Sequence, residues 1–315
     1  SESNLTDLKG TGELSATETG RNIRFGVREH AMGGIANGIA YHGGFIPYVA
    51  TFLTFSDYMR GSVRLAALTG LHVVYVWTHD SIGLGEDGPT HQPVEHYAAL
   101  RAMPGLTFLR PGDPNEAVAA WRVAMEHRHG PVALALTRQK LPVLPGSASR
   151  AIDGVARGGY VLADALNQDG HAAEPDVILI ATGSELSLAM DARAALTRDG
   201  IRTRVVSLPS WELFAAAPRG YRDEVLPPTE TLRVSIEAGV SMGWDRWVGT
   251  EGAIIAIDRY GASAPASELF PAFGFTAAHI ATVARQVMIG KLQGVVSAPF
   301  EHGAPEAPKA PEVQA

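Results

Sequence analysis

The chain has 315 residues, 46% of them hydrophobic and 19% charged. That is enough apolar material for about two domains of ~150 residues each, and it excludes a globally disordered chain. Against 33 acidic residues stand 26 basic ones, a formal net charge of −7 that draws neither nucleic acid nor an anionic membrane surface, so any phosphate must be met by a local cluster of cations.

The absence of cysteine excludes disulfides, thiolate metal sites and a cysteine nucleophile, and fits a reducing, cytoplasmic setting. No run reaches the ~18 consecutive apolar residues of a membrane span. The opening SESNLTDLKG has no apolar region and so does not read as a signal peptide; it also lacks an initiator Met and starts on polar residues, which reads as a processed or truncated chain.

In chain order, EHAMGGIANGIAYH (29–42) is predicted to be a helix with Met32, Ile35, Ala36, Ile39 and Ala40 on one face. Its Gly33, Gly34 and Gly38 each cost roughly 1 kcal/mol relative to Ala, so close approach of another helix or a flat ring is expected there. Glu29, at its start, either complements the helix dipole or serves as a desolvated carboxylic acid able to donate a proton. FIPYVA (45–50) is a strand candidate, followed by TFLTFSDY (51–58), where Phe52, Phe55 and Tyr58 fall at i, i+3 and i+6. On one helical face such a stripe supplies either core or a surface on which a heteroaromatic ring could stack.

VVYVWT (73–78) is a further strand, and THDSIGLGEDGPTHQPVE (78–95) follows it directly, where ligands gather in open α/β sheets. The embedded GLGEDG (83–88) matches a dinucleotide fingerprint only in its glycines. Glu86 and Asp87 would repel a pyrophosphate, Pro89 follows, and no helix is signalled behind Gly88. A solvated loop needs the turn residues but not His79, Asp87 and His91 together. A helix over 114–129 is marked by Asp113 as N-cap, Pro114 at the first helical position and Glu116 completing a capping box. PVALALT (131–137) is a strand ending at Arg138, either an ordinary surface residue or a forked donor for phosphate.

LPVLPGSAS (141–149) reads as a linker. Beyond it the α/β rhythm repeats: strands at 176–183, 203–209, 232–238 and 253–258, a helix at 184–200 capped by Ser184, and a closing helix from Phe275 to Ile289. The expected architecture is two successive three-layer α/β domains with mostly parallel sheets, 1–150 and 151–292, then a Pro/Ala-rich disordered tail over 293–315.

Taken together, SNLT, GVRE, IANGIAYHGGFIPY, TFLTFSDY, THDSIGLGEDGPTHQPVE, ARGGYVL, ATGSELSLA and APASELFPAFGFT closely resemble the transketolases, from residue 3 to about residue 290. The resemblance implies a pyrimidine-binding domain followed by the family's C-terminal domain, without the diphosphate-binding domain; the GDG through which that domain holds Mg²⁺ occurs nowhere in the sequence. It also implies thiamine diphosphate as cofactor, Mg²⁺ with its ligands in the other domain, and transfer of a two-carbon ketol unit between sugar phosphates in the pentose phosphate pathway. A homodimer, and a diphosphate-binding domain supplied in trans or by a parent chain, follow from the same likeness. By this resemblance Glu29 hydrogen-bonds the aminopyrimidine, Phe55 stacks on it, and Phe52 and Tyr58 complete the pocket. His91 takes part in proton transfer and meets a substrate hydroxyl, Asp87 reads a substrate hydroxyl, and Ser3, His79 and Arg138 grip the sugar phosphate. The second domain is expected to serve packing and dimerisation rather than chemistry. Competing readings are a β subunit of a 2-oxoacid dehydrogenase and a folded fragment without activity.

Overall fold

The computed structural model describes residues 4–167, 169–230 and 232–296. Ser3 and the tail residues 297–315 lie outside the described residues. The first unit contains α1 (Glu29–His42), β1 (Tyr48–Phe52), α2 (Ser56–Thr69), β2 (Val74–Thr78), α3 (His96–Arg101), β3 (Thr107–Leu109), α4 (Pro114–Glu126) and β4 (Val132–Leu136). The second contains α5 (Ser147–Ala156), β5 (Tyr160–Ala163), β6 (Val177–Ala181), α6 (Glu185–Arg198), β7 (Thr203–Ser207), α7 (Trp211–Ala216), α8 (Arg219–Val225), β8 (Arg233–Ile236), α9 (Asp245–Val248), β9 (Ala253–Ile255), α10 (Ala266–Ala272), α11 (Ala277–Met288) and β10 (Gly294–Val296). Among the described residues no helix is long and apolar enough to cross a membrane.

The first sheet has the order β1-β2-β4-β3 and is parallel throughout. Its central strands β2 and β4 are buried on both faces, which is why VYVWT and VALAL read as continuous apolar runs rather than alternating ones. The second sheet has the order β10-β9-β8-β6-β7-β5 and is parallel except where β5 runs antiparallel to β7. One apolar cluster runs through both units, joining Ile82, Val94 and Leu109 of the first to Leu186, Ala238 and Leu269 of the second.

Several expectations shift. The strand read at 45–50 begins only after Pro47 and runs on to Phe52. The linker read at 141–149 stops short, because Ser147 already opens α5, where it donates to Asp113 Oδ2 and the Leu144 carbonyl. Gly294–Val296, assigned to the tail on composition, pairs with β9 as an edge strand. Ser184 precedes α6 as expected, but its hydroxyl bonds Glu185 Oε1 at 2.5 Å instead of capping the backbone. Asp113 does cap α4, accepting from Glu116 N at 2.8 Å. Glu116 reaches back to Gly112 N at 2.6 Å, one residue beyond the cap.

The glycines of α1 divide. A Cβ on Gly33 would lie 2.2 Å from Ser62 Oγ, so this glycine lets α2 approach; Gly34 and Gly38 face open space. Ile35, expected among the buried face, is 47% exposed while Met32 and Ala36 are buried.

Candidate active site at the strand ends of the first sheet

Parallel registry gathers the candidate residues. Phe52, the last residue of β1, pairs with Thr78, and Thr78 pairs with Leu136 of β4. Neighbouring strands lie about 4.8 Å apart. The residues that leave these three ends therefore share one edge of the sheet, where α/β sheets bind ligands. These are the turn with Phe55, the loop opened by His79, and Arg138.

Phe52, Phe55 and Tyr58 do not share a helical face, as the spacing suggested. They sit on the end of β1, the 3-10 turn Leu53–Phe55 and the first turn of α2. Their rings nonetheless stack in sequence, Phe52 to Phe55 at 5.7 Å and Phe55 to Tyr58 at 5.9 Å between centroids. His79 lies on Phe52, 3.7 Å centroid to centroid at 21°, and His91 meets Phe55 edge-on at 5.4 Å. Two histidines twelve positions apart thus touch the same pair of rings. Glu29 opens α1 and lines, with Phe52, Phe55, Met32 and Ile35, a cavity of 2020 Å³. Its side chain is only half-buried, so the dry niche expected around it is not closed by the described residues alone.

His79 has φ +61°, a left-handed conformation that costs a non-glycine residue about 1–3 kcal/mol and persists only where the surroundings enforce it. Its Nδ1 pairs with Thr78 Oγ1 at 2.9 Å, and Asn4 Nδ2 donates to the same hydroxyl at 2.5 Å. Burial lowers the imidazole pKa below its ordinary value; the Arg138 cation lowers it further, and the Asp87 carboxylate opposes both. His79, Arg138 and Asp87 therefore lie within electrostatic reach of one another. His91 Nδ1 pairs with Thr90 Oγ1 at 2.9 Å, and Asp87, Thr90 and Arg138 are exposed at the rim.

The loop between His79 and His91 opens no dinucleotide-type helix. Ser81 Oγ accepts from Gly83 N across the 3-10 turn Ile82–Leu84, Gly85 and Gly88 take positive φ, and the next helix begins only at His96. Among the described residues, one group of acids and histidine is dense enough for a cation: Asp57, Glu95 and His96, with ligand atoms within 4.8 Å of one another. His96 Nε2 lies 3.2 Å from Asp57 Oδ2 and its Nδ1 3.7 Å from Glu95 Oε2, and neither ring nitrogen makes a hydrogen bond to the described residues.

Sequence reasoning missed the residues that brace this loop. Gln92 is buried and bonds the Gly85 carbonyl, the Ala262 carbonyl and Ala262 N at 2.9, 2.9 and 3.1 Å. Ser263 Oγ donates to the Glu86 carbonyl. Asp80 is 1% exposed and accepts from Arg110 Nε at 2.8 Å. Burial raises the Asp80 carboxyl, and the Arg110 guanidinium opposes that rise. An arginine following an apolar TFL run signals at most a strand end; nothing local marks it as buried.

Residues 1–143 match the family model for the transketolase pyrimidine-binding domain, and residues 158–276 match the transketolase-like C-terminal domain. A transketolase of Geobacillus stearothermophilus is 54% identical over 275 residues, covering 87% of this chain and 40% of that protein. A solved transketolase from Pichia stipitis in complex with sedoheptulose-7-phosphate superposes with TM-score 0.84 at 43% identity, over 94% of this chain and 43% of that one. A split gene transketolase described as an inactive β4 tetramer gives TM-score 0.69 at 21% identity and covers 84% of each chain, a likeness of fold. The chain spans about two fifths of the length of the first relatives it matches.

Proposed function

The chain belongs to the transketolase family, of which it carries the pyrimidine-binding and C-terminal domains, and from that premise we propose that it forms the pyrimidine side of a thiamine-diphosphate site transferring two-carbon ketol units between sugar phosphates. The observation that carries this reading is the convergence on Phe52 and Phe55. Both rings line the cavity onto which Glu29 opens, and His79 and His91 each touch one of them.

The residues present fit one half of the cofactor. A flat heterocycle is complemented by aromatic faces with a carboxyl group at its edge, and the cavity offers Phe52, Phe55 and Glu29. The cofactor, when bound, supplies the electron sink that C–C cleavage needs. Glu29 would hold a proton at the ring nitrogen of the pyrimidine, Phe55 would orient that ring by stacking, and Phe52 would line its flank; Tyr58, largely exposed, would complete the pocket from behind Phe55. His91 hydrogen-bonds a substrate hydroxyl and moves its proton, and Asp87 accepts from a second hydroxyl. His79 and Arg138, with Ser3, grip the phosphate. Burial first and the Arg138 cation second lower the imidazole pKa in the free site, and a phosphate anion between the two cations would favour the charged ring.

The diphosphate and Mg²⁺ are held by the domain that precedes these two in the relatives, supplied in trans or by a parent chain. It also provides the cover over Glu29. The assembly is a homodimer located in the cytoplasm.

The test is to combine the folded chain with the matching diphosphate-binding half, thiamine diphosphate and Mg²⁺, and to assay ketol transfer from xylulose 5-phosphate to an aldose phosphate. Transfer that depends on both halves is expected. An assembled pair that turns over no ketose, or that decarboxylates a 2-oxoacid instead, overturns the reading.

A further inference from the structure

His79 is held from behind by a chain of buried groups that ends in the other domain. The next residue, Asp80, is gripped twice: its carboxylate accepts from Arg110 Nε at 2.8 Å, and its carbonyl accepts from the Tyr97 hydroxyl. Arg110 is 0% exposed and is caged by the second unit. Its Nη1 donates to the Thr182 hydroxyl at 2.9 Å and to the Thr182 carbonyl at 3.2 Å, and its guanidinium pairs with Glu185. Its backbone N bonds the Pro209 carbonyl at 2.9 Å, and Gly183 N bonds its carbonyl at 3.1 Å.

Gly183 has φ +53°, and a Cβ there would lie 2.4 Å from Arg110 Cζ, so the second unit is shaped around this side chain. Glu185 is itself fixed by Ala238 N at 2.9 Å and Ser184 Oγ at 2.5 Å. The far end of the same loop is held by the second unit as well, through Gln92 on Ala262 and Ser263 on Glu86.

Such an arrangement answers a specific need. A left-handed histidine is strained and keeps that geometry only where its surroundings enforce it; besides the Thr78 bond on its ring, the surroundings include the gripped residue that follows it. We propose that Glu185 and Thr182 of the second domain are positioning residues which, through Arg110 and Asp80, lock His79 in its left-handed geometry. Affinity for the substrate's phosphate then depends on residues that touch no substrate. The affinity clause rests on the role given to His79 above; the locking of His79 does not.

Two measurements separate these. In the assembled enzyme, Glu185→Gln, Thr182→Val, His79→Ala and the double variant Glu185→Gln/His79→Ala are compared on a ketose phosphate and on the same ketose without its phosphate. Glu185→Gln is expected to raise KM for the phosphorylated donor about fivefold or more and to hold kcat within about twofold, leaving KM for the unphosphorylated one unchanged. The double variant is expected to be no worse than His79→Ala alone, since residues acting through one another are not additive. An unchanged KM, or effects that add in full, overturns the proposal.

In the 315-residue chain alone, the His79 ring protons are expected to be shifted upfield by Phe52 in the proton NMR spectrum, the signals being assigned by their loss in His79→Ala. Glu185→Gln should move them toward free-histidine positions. Thr182→Val, which replaces the hydroxyl by a methyl and so removes its bonds to Arg110 and Glu237, should move them part of the way and serves if Glu185→Gln does not fold. Signals that stay put in both variants overturn the lock. If the wild-type assembly shows no ketol transfer while the signals move, the functional reading fails and the lock stands.

Discussion

Glu29 and His79 show how differently two residues of the proposed site are secured. Glu29 stands in the first turn of α1, half-buried, on the wall of a cavity that the described residues leave open. An acid in that position contributes only about 0.3–1 kcal/mol to stability through the helix dipole. Its proposed proton contact with the cofactor matters far more to the reaction. Glu29→Gln is therefore expected to lower kcat of the assembled enzyme about 100-fold or more. The melting temperature of the chain should move by less than about 2 °C. Parallel loss of activity and thermal stability would make Glu29 a structural residue. His79 is the reverse case, a strained residue that stays in place because its neighbour is gripped.

At the scale of elements, α1 carries two kinds of glycine in one short run. Gly33 sits where α2 comes closest, with Ser62 Oγ already bonded to the Met59 carbonyl at 2.8 Å and unable to give way freely. A methyl group there overpacks the helix pair, and Gly33→Ala is expected to destabilise the chain by about 1–3 kcal/mol. Gly34 faces open space, so Gly34→Ala should stabilise by roughly 0.5–1 kcal/mol through helix propensity alone. Urea unfolding of the two variants checks the pair; shifts of the same sign would show that the α1–α2 contact is not what Gly33 serves. The cap of α4 carries a second lesson. Glu116 completes a capping interaction on Gly112, but its other oxygen accepts from Tyr160 Oη at 2.8 Å and Ser207 Oγ at 2.6 Å in the second unit. A residue legible as a local helix signal is also a joint between domains.

At the scale of the whole molecule, buried charge crosses the boundary between the units. Arg101 makes a two-pronged contact to Glu237 at 2.7 and 2.8 Å, with Trp244 Nε1 donating to the same carboxylate at 2.9 Å. Burial raises the Glu237 carboxyl, but Arg101, Arg110 and Thr182 outweigh it and hold the pKa at about 2 against an ordinary 4.5. A carboxylate depressed by folding stabilises the protein above its unfolded pKa and loses that contribution as pH falls through the folded one. The window is therefore about pH 4.5 down to about 2. Glu237→Gln is expected to be less stable than wild type at pH 6, with the gap closing as pH falls through that window. Denaturant midpoints at pH 6, 4 and 3 check this, and a constant gap would rule out the linkage.

Two α/β units, the positions of most of their strands along the chain, the start of α1 and the block from Thr78 to Glu95 were legible from the chain by itself, whereas the order of the strands within each sheet was not. These features rest on local rules: apolar runs for doubly covered strands, caps and prolines for helix starts, and a run of side chains too specific for a plain loop. The strand-end gathering of Phe52, His79 and Arg138, the stack of three rings across strand, turn and helix, and the Asp80–Arg110–Glu185 bridge were decided only by tertiary structure. Each depends on which residues far apart in sequence come to lie side by side, and on which charges lose their water when two domains close. No spacing within a single segment encodes either.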